Sequence, residues 1–326
     1  ITMNKRRSLI SRRTLLQGAA AAFAATPAFA QSAWPDRNIR MIVPYPAGGS
    51  TDVLFRILAE RLKDKLNQTI VVENRAGASG NTGIDAVAKS AADGYTIGGA
   101  TVGHFAINQY LFQRMPFDAE RDLAAPTLSY ELPNVAVVAA KHVPATTLKE
   151  FIEWAKAKPN GITIGSPGPG TTPHLSGVLF SARAGVQAVH VPFKGASETI
   201  PAMLAGDVNF AIDNLASYVS QIESGNMRAL AVTSPQRSAQ MPDVPNFVEL
   251  GYPRMVSTVW GGLFAPGATP RAVLDRIAQV EPVIHSFITV TADEALAQAK
   301  AADAADKDNL IYMELKTGRV DRKSVV

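Results

Sequence analysis

The sequence predicts an α/β protein of two lobes with a ligand cleft between them. Three observations predict it. Short apolar strands alternate with amphipathic helices in the order β-α-β-α-β from Ile39 to Gly98, which specifies a parallel sheet covered by helices. The alternation resumes after a proline-bearing passage, Met115 to Pro133. Each half also holds a strand that breaks at a glycine turn and runs straight into a helix start, Val43 to Asp52 in one and Gly165 to His174 in the other. Ligands in such sheets bind beyond the carboxyl ends of strands, so the two turns are expected to face one cleft.

The first strand, Ile39 to Val43, is apolar enough to be buried on both faces and stops at Pro44. Gly48-Gly49 turns the chain, and Ser50 or Thr51 is the expected cap of the next helix. In that helix Val53, Leu54, Ile57, Leu58, Leu62 and Leu66 recur at helical spacing, and Asp52 sits in the first turn, where the helix dipole favours an acid. Backbone N–H groups and a helix N-terminus converge there, which is an anion site in outline. Ile70 to Glu73 is the second strand. A glycine-rich loop, Asn74 to Gly80, leads to a helix near Thr82 to Ser90, a turn at Asp93-Gly94 and a third strand from Tyr95 to Gly98. Thr101 to His104 falls just past that strand, at the same cleft.

The second half opens with a strand at Val135 to Ala139 and a helix at Thr147 to Lys156, capped by Thr146 or Thr147. Ile162 to Gly165 is a strand, and Ser166 to His174 repeats the opening feature, with a threonine cap and a proline in the first helical turn. The helix reaches about Ala184. A strand at Ala188 to Val191, the loop Pro192 to Gly195 and a helix from Ser197 through Leu204 follow, then strands at Val208 to Asp213 and Ala229 to Thr233. Pro235 to Pro245 is irregular. Val259 to Phe264 reads as a strand returning to the first lobe, and Thr269-Pro270 opens a helix through Ile277. Lobe 1 is then 34–132 with 255–326, lobe 2 is 133–254, and two chain crossings make closure a hinge motion.

With 326 residues, 47% of them hydrophobic and 18% charged, the chain has enough apolar material for two compact lobes. The absence of cysteine removes disulfides, thiolate metal sites and cysteine nucleophiles. The formal charge of +4 is misleading. Residues 1–30 carry Lys5, Arg6, Arg7, Arg12 and Arg13 and no acid; the rest of the chain has 27 basic residues against 28 acidic, a net of −1. A nucleic-acid surface has no support in that balance. Those 30 residues read as a leader. Ser11-Arg12-Arg13-Thr14-Leu15-Leu16 resembles a twin-arginine export motif, an apolar run follows, and Ala28-Phe29-Ala30 predicts cleavage before Gln31. Met3 is the expected start.

Several short segments then occur in a familiar order. They are Val43 to Asp52, Val72-Glu73-Asn74-Arg75, Asp93-Gly94-Tyr95, Gly165-Ser166-Pro167-Gly168 with Pro173-His174-Leu175, Val191 to Gly195, and Val248 to Pro253. Together, over residues 34 to 277, they resemble the Bug family, the periplasmic receptors of tripartite tricarboxylate transporters. The resemblance implies a type II periplasmic-binding-protein (Venus flytrap) fold with no catalysis and no cofactor. It also implies a small ligand, often a carboxylate, held mainly by loop backbone amides and ordered water, and delivery to membrane permease subunits. A monomer is expected. Carried over by motif, the first-lobe contacts are Ala47, Gly48, Gly49, Ser50 and Asp52, with Thr101 and His104. The second-lobe contacts are Ser166, Gly170, Thr171 and Thr172, with Lys194, Gly195 and Asp213 along the rim or floor. Beyond Glu281-Pro282 the chain departs from the family pattern.

Other chemistries fit less well. Neither glycine turn has a Lys after its last Gly, which excludes a phosphate-cradling P-loop, and the first turn does not match G-x-G-x-x-G. No two of the five histidines have metal-ligand spacing. Ser166 lacks G-x-S-x-G flanks, though an exported esterase or amidase stays open wherever a base reaches it. A sensory receptor feeding a kinase is a third reading. Lys194 reads either as a carboxylate partner or as a solvated rim lysine. Asp213 reads either as a helix cap or as an acceptor for a ligand amine or hydroxyl.

Overall fold

The computed structural model describes residues 34–280. The expected leader, its cleavage site and the atypical segment after Glu281 lie outside the described residues. The chain divides at Asp36 into a short N-terminal unit and a main unit. The sheet and cleft described below belong wholly to the main unit.

Among the described residues ten strands form the sheet: β1 Ile39–Val43, β2 Ile70–Asn74, β3 Thr96–Thr101, β4 Leu123–Ala124, β5 Tyr130–Ala139, β6 Ile162–Ser166, β7 Ala188–Pro192, β8 Phe210–Asn214, β9 Met227–Val232 and β10 Thr258–Pro266. Their order is β2-β1-β3-β10-β5-β8-β6-β7, with β4 beside β10 and β9 beside β5. As expected for β-α-β units, β1 pairs in parallel with β2 and β3, and β6 with β7 and β8. The returning strand β10 runs antiparallel to β3.

The third strand runs on to Thr101, so Thr101 ends a strand where the sequence suggested a loop. Gly98 and Gly99 make this stretch hard to read as strand. They are there for packing: a Cβ on Gly99 would sit 2.2 Å from the Phe55 ring, and one on Gly98 would sit 2.6 Å from Phe264. The passage 115–133 also holds more order than expected, a helical turn at Ala119–Asp122 capped by Asp118, and β4.

Strand β5 begins at Tyr130, before Pro133, rather than at Val135. Its partner changes along its length. Tyr130 to Pro133 pair with β10, whereas Asn134 to Val137 pair with β8. Pro133 cannot donate to a ladder, and it sits at the changeover, where the loss of a donor costs least. Each side of the changeover has its own core. Ile42, Ile84, Val87 and Phe264 are fully buried on the first side. On the other, Phe151, Phe180 and Phe210 stack within 6.2 Å of one another, with Phe247 against Phe180. Among the described residues no helix is long and apolar enough to cross a membrane.

Candidate ligand-binding site

Four helices start at one cleft. They are Ser50–Leu66, Thr172–Ala184, Ala196–Ala205 and Leu215–Glu223, and each places residues of its first turn or cap in the lining. Each follows a strand end, β1, β6, β7 and β8 respectively. The empty space between them, counted together with the open solvent at its mouth, is about 490 Å³. Helix N-termini carry unpaired N–H groups and roughly half a positive charge each. These helix starts favour anions, although the described lining contains no Lys, Arg or His and includes the acid Asp213.

The first turn is built around Asp52. Gly49 is the helix cap and makes no side-chain capping bond, which corrects the expected cap at Ser50 or Thr51. Asp52 reaches back instead. Its carboxylate accepts the Gly48 N–H at 2.9 Å, the Arg56 Nε–H at 3.0 Å and the Asn74 amide at 2.8 Å. Burial pushes the Asp52 carboxyl up, but these donors outweigh it and its pKa is lowered. Asn74 also donates to the Tyr45 carbonyl, which ties the turn to the end of β2. Gly48 holds φ +83°, so a side chain there would be strained. The N–H groups of Gly49, Thr51 and Asp52 meet no acceptor among the described residues.

The second turn closes on itself. Thr171 caps the helix by accepting the His174 N–H, and its hydroxyl donates to the Gly168 carbonyl at 2.7 Å. The Gly168 N–H donates to Ser166 Oγ and the Gly170 N–H to His174 Nδ1. Only Thr172 is left open: its Oγ1 is buried without a partner.

Seven of the expected residues line the cleft: Gly49, Ser50, Thr101, Thr171, Thr172, Gly195 and Asp213. The other seven do not. Ala47 and Gly48 are exposed on the outside of the turn, and Asp52 is committed to holding it. Gly170 packs against Asn108 and Leu111. Lys194 is exposed at a neighbouring groove. His104 sits behind Thr101. Its Nδ1 accepts the Thr101 N–H at 3.1 Å and its Nε2–H donates to the Ser79 carbonyl, while burial lowers its pKa to about 4. It is thus a neutral ring that fixes the end of β3.

Ser166 has the base that sequence alone does not reveal, with His190 Nε2 at 2.7 Å from its Oγ. That hydroxyl is fully buried, also accepts the Gly168 N–H, and does not line the cleft. Asp213 differs from the expected cap. Asn214 is the cap of the Leu215–Glu223 helix, and the Asp213 carboxylate accepts the Asn214 N–H at 2.7 Å and the Tyr218 hydroxyl at 3.1 Å.

Sequence reasoning missed Tyr45, Asn214 and Ser217 in the lining. Tyr45 lay inside a quoted motif, so a signal existed. Ser217 had none, because its role depends on a partner 167 positions away. Its Oγ accepts the Ser50 N–H at 2.9 Å and donates to Ser50 Oγ at 2.8 Å, joining the two halves across the cleft. Gly195 lies on the same seam, where an added Cβ would be 3.0 Å from Pro46 Cδ.

The family described as tripartite tricarboxylate transporter family receptor matches residues 54–324. The chain belongs to this family. The match takes in the segment after Glu281. BugT of Bordetella pertussis is 37% identical over 272 residues, spanning 81% of this chain and 83% of BugT. The solved structure of the periplasmic binding protein BugD is 30% identical, with a TM-score of 0.74, covering 78% of this chain and 84% of that one. An R. palustris protein solved with adipate is 32% identical, with a TM-score of 0.74, covering 79% and 85%. The receptor therefore has the two-lobed periplasmic-binding-protein fold and is a periplasmic solute receptor of a tripartite transporter. Its family consists of receptors rather than enzymes, which sets aside the hydrolase reading of Ser166.

Proposed function

We propose that this receptor captures a small carboxylate in the cleft between Gly49 and Thr172 and hands it to the permease in the closed form. One observation carries the reading: four helix N-termini converge on one cleft, to which no described residue brings a cationic side chain. The carboxylate takes the free first-turn N–H groups of Gly49, Thr51 and Asp52 on one side and Thr172 on the other. Gly195 and Ser217 form the seam that closes over it. The adipate bound to the R. palustris relative supports the ligand class. Differential contact with both sides favours closure.

The division into lobe 1, 34–132 with 255–326, and lobe 2, 133–254, is part of this proposal. The change of partner on β5 between Pro133 and Asn134 supports it. So are export by the twin-arginine route, cleavage before Gln31 and action as a monomer. A thermal-shift screen of the mature protein against mono-, di- and tricarboxylates, amino acids among them, tests the function. A rise in melting temperature with at least one of them, confirmed by calorimetry, is expected. No response to any carboxylate would overturn the reading.

A further inference from the structure

Among the described residues Asp213 is the only charged one in the lining of the cleft, and it is an acid in a site otherwise built for anions. It is fully buried. No lysine, arginine or histidine lines the cleft to balance it. Its hydrogen bonds, from the Asn214 N–H and the Tyr218 hydroxyl, occupy two of the roughly four acceptor positions a carboxylate offers. Beside it in the lining, Asn214 leaves its side-chain oxygen buried with no donor. The strand-end pair Asp213-Asn214 therefore offers unmet acceptors in the same cleft as the unmet donors of the Gly49 turn. Buried acceptors left unpaired are costly, and a buried unpaired carboxylate more so.

From this juxtaposition we infer that the natural ligand carries a positively charged or donor-rich nitrogen as well as its carboxylate, with Asp213 and Asn214 as the residues that select it. The inference rests on the carboxylate-receptor reading and narrows it. An α-amino acid fits the arrangement: its carboxylate takes the helix-start N–H groups, and its ammonium meets Asp213 and the Asn214 oxygen. A plain dicarboxylate would set a second anion against Asp213. That contact requires Asp213 to be protonated or the ligand to stay away from it.

The titration of Asp213 gives an independent handle. Burial raises its pKa to about 6, against the opposing Asn214 and Tyr218 bonds. The titratable groups facing it are Tyr218 from the helix that follows β8 and Tyr45 from the turn after β1, and burial keeps both neutral. Burial lowers the pKa of His104 and of His174 to about 4 and lowers that of His190 as well.

The test is calorimetry on the mature protein with matched pairs that differ only in the nitrogen: glutamate with glutarate, aspartate with succinate, and each other standard amino acid with its deaminated acid. The inference expects binding by amine-bearing members only. It also expects a loss on the order of 10- to 100-fold in Asp213→Asn, and weakening in the wild type as pH falls through about 6. The pH series stands even if Asp213→Asn fails to fold. Tighter binding of the amine-free members, indifferent to Asp213→Asn and to pH, overturns this inference and leaves the receptor reading intact. Binding by no carboxylate of either kind overturns both.

Discussion

The Gly48-Gly49 turn and the Gly168-Gly170 turn look alike in sequence. Each carries a buried strand into a helix that starts at the cleft. They differ in where their amides go. In the first, a carboxylate inside the helix, Asp52, holds the outer amide of Gly48 and leaves the inner amides of Gly49 and Thr51 open. In the second, Ser166, His174 and Thr171 take up the amides of Gly168 and Gly170 and the His174 N–H, and the three prolines at 167, 169 and 173 have none to give. On the proposed reading the first turn grips the ligand, and the second presents a shaped wall with one open residue, Thr172. A turn's glycine content does not reveal which kind it is; the side chains one helical turn away do.

Four substitutions test that difference, and the largest effect is expected at Gly49. Its backbone is extended, and a Cβ would meet only the Pro46 carbonyl, at 3.7 Å. Gly49→Val should therefore fold normally and block the approach of the ligand, with calorimetry showing a loss of about 100-fold. Unchanged affinity would remove the first turn from the site.

Asp52→Asn comes next and acts on stability. It removes the charge that holds Gly48, Arg56 and Asn74, at a cost of about 2 kcal/mol in denaturant unfolding. The pH dependence has a definite sign. Because the folded-state pKa of Asp52 is lowered, its contribution is complete above the unfolded value of about 3.9 and disappears as pH falls through the lower folded value. The variant should lose less stability than the wild type over that acid window.

Gly195→Ala places a methyl 3.0 Å from Pro46 across the seam, on backbone that any residue adopts. Closure should be held back and affinity reduced about tenfold, with little change in the melting temperature of the ligand-free protein. The smallest effect is expected at Thr171→Ala, which loses a helix cap worth about 1 kcal/mol and leaves ligand affinity unchanged. A large affinity loss there would mean that the second turn grips as well.

The sheet and most helices were legible in the sequence because apolar runs and glycine or proline punctuation coincide with their ends. The Thr147 cap, for example, is a complete capping box with Glu150. Three features were not legible. The early start of β5 is hidden by Pro133, which is tolerated only where the strand changes partner. The cap at Gly49 is hidden by the better capping residues beside it, one of which, Ser50, is held by Ser217 from the other half. Of the fourteen expected site residues, the seven that line the cleft sit at strand ends or helix starts. Among the remainder, His104, Ser166 and Asp52 are polar side chains that bind loop backbone or a neighbouring side chain. Sequence shows that a polar residue lies beside a turn; it does not show whether that residue faces the ligand or the loop.

Amide hydrogen exchange, read residue by residue by NMR with and without a saturating carboxylate chosen from the thermal-shift screen, tests the division of labour most directly. The account predicts that Gly168 and Gly170 are protected before ligand is added, and that ligand newly protects Gly49, Thr51, Asp52 and Thr172. Protection that rises at Gly168 and Gly170 while the Gly49 turn stays unchanged would contradict it.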